Sequence, residues 1–286
     1  MIVHHRFIDV DGHRIFFREA GSPTQETVVL LHGYPTSSFM YRELIPRLAE
    51  RFHVFAPDYL GFGLSDAPPV SEFTYSFDAL AKITCHFLEQ IGVERYALFV
   101  QDYGAPIGWR LALQSPDRIW AIVTQNGNAY EEGFVPEFWE SIWAYAQVQT
   151  PETERAVRGA LDAEAIRWQY THGVPDPTVV SPDTWMHDAV QLGRPGNDLV
   201  QLALFKDYVS NVLLYPAVHD YLAQSRVPLL AIWGRNDEIF APAGAEAFTR
   251  DTPNAEIHLL NAGHFLLESA LDEAEPLVTD FLRRHR

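Results

Sequence analysis

Cysteine occurs once in the 286 residues, at Cys85. A single thiol excludes an intrachain disulfide and any zinc site built on several cysteines. Positive charge is also scarce: 21 Lys and Arg stand against 38 Asp and Glu, a formal net charge of −17. Nucleic-acid binding needs a basic surface against phosphate, so that class of partner is not expected. No run approaches the roughly 20 apolar residues of a membrane-spanning helix, so a membrane partner is not expected either. The first residues, Met1-Ile2-Val3-His4-His5-Arg6, lack the apolar stretch of a secretory leader, and the expectation is a cytoplasmic chain. The twelve histidines contain no HExxH or comparable spacing, so no metal is expected. What is present, 47% hydrophobic and 21% charged residues, is ordinary globular composition on a chain long enough to bury a large core.

Strand and helix patterns alternate through the first part. Phe7–Val10 and His13–Arg18 flank an Asp11-Gly12 turn and predict a hairpin. Thr27–Leu31, Phe52–Ala56, Tyr96–Val100 and Ile119–Val123 are apolar runs of the kind found in strands covered on both faces. A helix is predicted over 41–50, another over 76–91 from 3–4 spacing with Gly92 as its stop, and a third beginning near Ile107. Residues 129–220 break the pattern: they hold no convincing strand, four tryptophans and repeated prolines, and a helical insertion is expected there. Pro228–Trp233 and Ile257–Leu260 return to strand, and a closing helix follows, with Pro276 expected inside it or near a break. The prediction is an α/β chain with a mostly parallel sheet, residues 1–128 and 221–286 forming the core and 129–220 a helical cap.

Three polar residues stand where apolar runs end. Asp102 follows Tyr96–Val100 and precedes Tyr103-Gly104, so strand, tight turn and helix meet at one carboxylate, the outline of a nucleophile elbow with aspartate in place of serine. Read alone, Asp102 is as well explained as a helix cap. Asp237 follows the strand ending at Trp233, and His264 follows Ile257–Leu260. In an open parallel sheet ligands bind beyond the carboxyl ends of the strands, so these residues converge on one place. His32 reads as a hydrogen-bonded residue of its loop. Gly61-x-Gly63 lacks the third glycine of a dinucleotide fingerprint, Asp66 standing in its place, and nucleotide binding is not expected.

With His32-Gly33-Tyr34-Pro35, Asp58-Tyr59-Leu60-Gly61-Phe62-Gly63-Leu64-Ser65, the Asp102 elbow, Gly234-x-x-Asp237 and Gly263-His264, the chain resembles the α/β-hydrolases over nearly its whole length. Aspartate at the elbow resembles the epoxide hydrolase and haloalkane dehalogenase branch. Val100 departs from the pattern, a smaller residue being usual there.

The resemblance implies that Asp102 is the nucleophile, His264 the base that activates water, and Asp237 the acid that orients His264. It also implies backbone N–H donors at Tyr34 and Tyr103 for the oxyanion, and no cofactor. The implied substrate is a small apolar epoxide or haloalkane, with water. Dehalogenases typically carry tryptophan after the nucleophile and often asparagine in the early loop; Tyr103 and Tyr34 stand there. The epoxide reading takes Tyr145 and Tyr208 as the cap acids, with Tyr170, Tyr215 and Tyr221 competing for the role.

Overall fold

The computed structural model describes residues 1–286. Its single sheet contains β1 (His4–Val10), β2 (His13–Ala20), β3 (Thr27–Leu31), β4 (His53–Pro57), β5 (Tyr96–Gln101), β6 (Ile119–Gln125), β7 (Leu229–Gly234) and β8 (Glu256–Leu260). The spatial order is β1-β2-β4-β3-β5-β6-β7-β8, with β2 antiparallel to both neighbours and every later pairing parallel. This is the α/β-hydrolase fold, the expected class. β5, β6 and β7 are buried at every position, which is why they read as unbroken apolar runs rather than alternating ones.

The helices are α1 (Leu44–Leu48), α2 (Phe77–Gln90), α3 (Gly104–Gln114), α4 (Pro136–Gln147), α5 (Pro151–Arg158), α6 (Ala163–Thr171), α7 (Pro182–Leu192), α8 (Asn197–Asp207), α9 (Val209–Ser225), α10 (Pro242–Asp251), α11 (Leu266–Ser269) and α12 (Leu271–His285). α1 packs on α12, which lies on β6 and β7, while α2, α3, α9 and α10 form a second connected layer. α2 shows why sequence finds such elements: the Ser76 side chain caps its first turn, Asp78 sits in that turn, and Gly92 leaves the helix at φ +73°.

One boundary differs from the sequence reading. The division at residue 220 falls inside α9, which runs on to Ser225 through Pro216 and packs against α3 and α10, so its last turns are continuous with the core layer. The C-terminal break lies at Ala270, between α11 and α12, and α12 continues through Pro276.

From β3 the chain moves to β4 on one side and then back across to β5 on the other. That reversal opens a crevice beyond the carboxyl ends of β3 and β5, where this class of sheet binds ligands. In register, Leu31 lies beside Val100, which brings the 32–34 loop against Asp102.

Candidate active site

Asp102 has φ +47°, an uncommon conformation for a non-glycine residue, and it turns the chain from β5 directly into α3. The expected departure at Val100 is accommodated by Gly108 one helical turn into α3, where a β-carbon would sit 2.6 Å from a Val100 methyl. Asp102 is only 5% exposed. Its Oδ1 accepts a 2.6 Å hydrogen bond from the Tyr34 backbone N–H, and the Tyr103 N–H also points at the carboxylate. Burial raises its pKa, and although the His264 charge and those two N–H groups pull the other way, it settles at about 6.

His264 and Asp237 are brought to the same place. The His264 Nδ1–H donates to Asp237 Oδ2 at 2.9 Å, and Nε2 lies 4.0 Å from Asp102 Oδ2. Burial alone would depress the His264 pKa, but the charges of Asp237 and Asp102 and the hydrogen bond to Asp237 outweigh it and leave it raised. Asp237 is fixed in turn: Oδ1 accepts from Ile239 N–H at 2.8 Å and Oδ2 from the Asn126 amide at 2.7 Å.

Asn126 and Gln101 were not legible as site residues. Asn126, at φ +48° beyond β6, also accepts from Gly234 N–H, tying the β6 and β7 ends together. Gln101 donates from Nε2 to His264 Nε2 at 2.9 Å. The available signal was polarity at the last position of an apolar strand. His32 is a buried loop residue: Nδ1 donates to the Gly33 carbonyl at 3.0 Å, Nε2 accepts from Tyr59 N–H, and burial lowers its pKa to about 4.

The two cap tyrosines part company. Tyr208, 1% exposed, has its ring 5.8 Å from that of Tyr103 and 4.4 Å from Trp139. Its pKa is driven well up, first by burial, then by Tyr215 and the Asp102 charge. Tyr145 is buried on a different side of α4. The charges its hydroxyl feels are Glu154 and Arg158, both on α5, and not those of the triad. The pairing of Tyr145 with Tyr208 over Asp102 is therefore corrected: α4 turns its tryptophans, not Tyr145, toward Tyr208.

Two further tyrosines stand at the elbow and the loop beside it. Tyr34 and Tyr103 have ring centres 5.8 Å apart, and both hydroxyls feel the Asp102 charge. The Tyr34 hydroxyl donates to the Ala160 carbonyl of the inserted segment at 2.7 Å. The Tyr103 hydroxyl is buried and has no partner. Of the competitors, Tyr170 is bonded to Asp188, Tyr215 to Asn128, and Tyr221 packs near Ser225. The Trp139 indole N–H donates to the Ile239 carbonyl at 2.9 Å. No group of three His, Cys, Asp or Glu side chains is arranged to hold a metal ion.

Comparison with known proteins places the chain among relatives. A family profile of the alpha/beta hydrolase fold matches residues 26–271. The sequence is 41% identical over 281 residues to an uncharacterized hydrolase of Saccharomyces cerevisiae, YNR064C, across 97% of this chain and 96% of that one. It is 31% identical over 272 residues to haloalkane dehalogenase 2 of Mycobacterium tuberculosis, across 93% and 91% of the two chains. Among solved structures, wild-type Cfl2 of Burkholderia cenocepacia superposes with a TM-score of 0.81 at 23% identity, over 99% of this chain and 96% of that one. Epoxide hydrolase CorEH superposes with a TM-score of 0.79 at 21% identity, over all of both chains, a likeness of fold.

Proposed function

Because the chain belongs to the α/β-hydrolase family, in the branch of haloalkane dehalogenases and epoxide hydrolases, we propose that it opens a small apolar epoxide to a vicinal diol through an ester on Asp102. The α4–α8 segment acts as the cap that covers the carboxylate. Asp102, ionised above about pH 6, attacks an epoxide carbon; the C–O bond breaks as a tyrosine hydroxyl gives its proton to the departing oxygen. Water then attacks the ester carbonyl and loses a proton to His264 Nε2, while Asp237 holds the ring by Nδ1. Negative charge develops on the Asp102 oxygen held by the Tyr34 and Tyr103 N–H groups, each such donor being worth about 3–4 kcal/mol in acyl chemistry. The adduct collapses, the expelled alkoxide takes the proton of the new hydroxyl, and the proton on His264 returns to the tyrosinate through solvent. Epoxide and water have become diol.

One observation carries the choice of epoxide. A tyrosine hydroxyl that feels the Asp102 charge is buried and unspent, at Tyr103, whose ring packs against that of Tyr208, whereas the nearby Trp139 N–H is already bonded to Ile239. Opening an epoxide needs an acid; releasing halide needs only N–H donors. Tyr208 and Tyr103 take the roles of the acid pair. The 31% identity to a haloalkane dehalogenase supports the second reading, release of halide and alcohol by the same triad. Turnover of matched epoxide and haloalkane panels separates the two. Diol without halide is the expected result, and halide release with intact epoxides would replace the first reading with the second. Tyr208→Phe should slow epoxide opening about a hundredfold, with Tyr145→Phe within about threefold of wild type.

A further inference from the structure

The base of the triad is already in use. In the neutral ring that accepts from Gln101, Nδ1 carries the proton given to Asp237, and Nε2 has one lone pair, into which the Gln101 amide donates at 2.9 Å. Once Nε2 takes a proton from water, that geometry fails: two donors would face each other across a hydrogen-bond distance in a buried site. Gln101 is 0% exposed and cannot swing into solvent.

The other end of the amide supplies the way out. Gln101 Oε1 is buried without a partner, so turning the amide over sacrifices no bond there. It also borders the same empty position as the atom on which charge develops. Oε1 and Asp102 Oδ1 are each 2.5 Å from the point where a β-carbon on Gly33 would sit, two acceptors around a residue with no side chain. Reversal puts an N–H in place of one of those acceptors, on the side of the oxyanion.

Building on the ester mechanism above, we propose that Gln101 is a positioning residue whose side-chain amide reverses with the proton on His264. It offers N–H to the neutral ring and its carbonyl to the imidazolium. In the reversed state the carbonyl accepts from Nε2–H⁺, and the NH₂ turns toward Oδ1 as the tetrahedral adduct forms. Charge-assisted hydrogen bonds are roughly twice as strong as neutral ones, so both ends favour the reversed state at the moment of proton transfer. The ionisable groups facing His264 are Asp237 from the loop after β7 and Asp102 from the elbow after β5. Neither can supply this bond, since Asp237 is committed to Nδ1 and Asp102 is the group under attack.

Neutron diffraction from the whole protein in heavy water, at two pH values on either side of the His264 titration, tests the reversal directly. The expected result is deuterium on the Gln101 atom facing Nε2 at the higher pH and none there at the lower pH. The same orientation at both overturns the proposal. A kinetic arm uses Gln101→Met, with Gln101→Leu in reserve should that variant not fold. Single-turnover measurements should find Asp102 alkylation within about threefold of wild type and ester hydrolysis slowed about thirtyfold or more. Equal slowing of both steps would make Gln101 merely structural and overturn the proposal. If wild-type enzyme forms no ester at all, the covalent mechanism fails, and the diffraction result alone decides whether the amide follows the proton.

Discussion

Asp102 is held at φ +47° and nearly sealed from water. Each feature fits the proposed attack on carbon and each works against stability. The Asp102 pKa is raised from 3.8 to about 6, so the folded state disfavours the carboxylate relative to the unfolded chain. That penalty is absent below the unfolded value, grows between the two values, and is complete above about pH 6. Asp102→Asn removes the charge, keeps an oxygen for the Tyr34 N–H, and tolerates a left-handed backbone. The variant should be inactive and more stable than wild type by about 1–3 kcal/mol at pH 8, with the gain shrinking toward zero near pH 4. Denaturant melts of both proteins at the two pH values check this. A loss of stability at pH 8 would mean that the attraction of His264 outweighs burial.

At the level of elements, the elbow depends on how closely α3 can begin above the sheet. A β-carbon on Gly104 would run into the Leu31 carbonyl of β3, because the first turn of α3 passes directly over that strand. Gly104→Ala should cost about 2–3 kcal/mol and depress turnover as well, since the shifted helix carries the Tyr103 N–H with it. Gly159→Ala, at an exposed position with open space around its α-carbon, should stay within about 0.5 kcal/mol. Comparable losses in the two variants would show that the close approach is not what matters. Elements of this kind were legible because the physics behind them is local: apolar runs for doubly covered strands, 3–4 spacing and a glycine stop for α2. The triad was legible because strand ends in an open sheet converge. The inserted helices were less so. Aromatic spacing says that α4 buries a face, but not that Trp139 meets Tyr208 while Tyr145 meets α5. The end of α9 left no signal because its last turns pack like the core. Gln101 and Asn126 escaped because their roles exist only between strand ends far apart in sequence.

Across the whole molecule, 38 acidic against 21 basic residues set the field that a substrate meets on approach. Ala160, whose carbonyl receives the Tyr34 hydroxyl, also lines a cleft of about 630 Å³ with Phe138, Trp168, Glu137 and Glu238. Its walls are apolar enough to take a hydrocarbon, and two carboxylates stand at it within a field already negative overall. A substrate carrying its own carboxylate would meet repulsion from the protein as a whole and again at the cleft. The final buried position offers it no fixed cation: the ionisable groups acting on Asp102 are His264, the proposed base, and Asp237. The expected selectivity is for neutral epoxides. An epoxide bearing a carboxylate should show kcat/KM about tenfold or more below that of its methyl ester at low ionic strength, the gap narrowing as salt screens the long-range part. Paired assays at about 10 mM and 500 mM salt separate the contributions. A gap that ignores salt would locate the discrimination in the buried site alone, and no gap would remove net charge from the account of specificity.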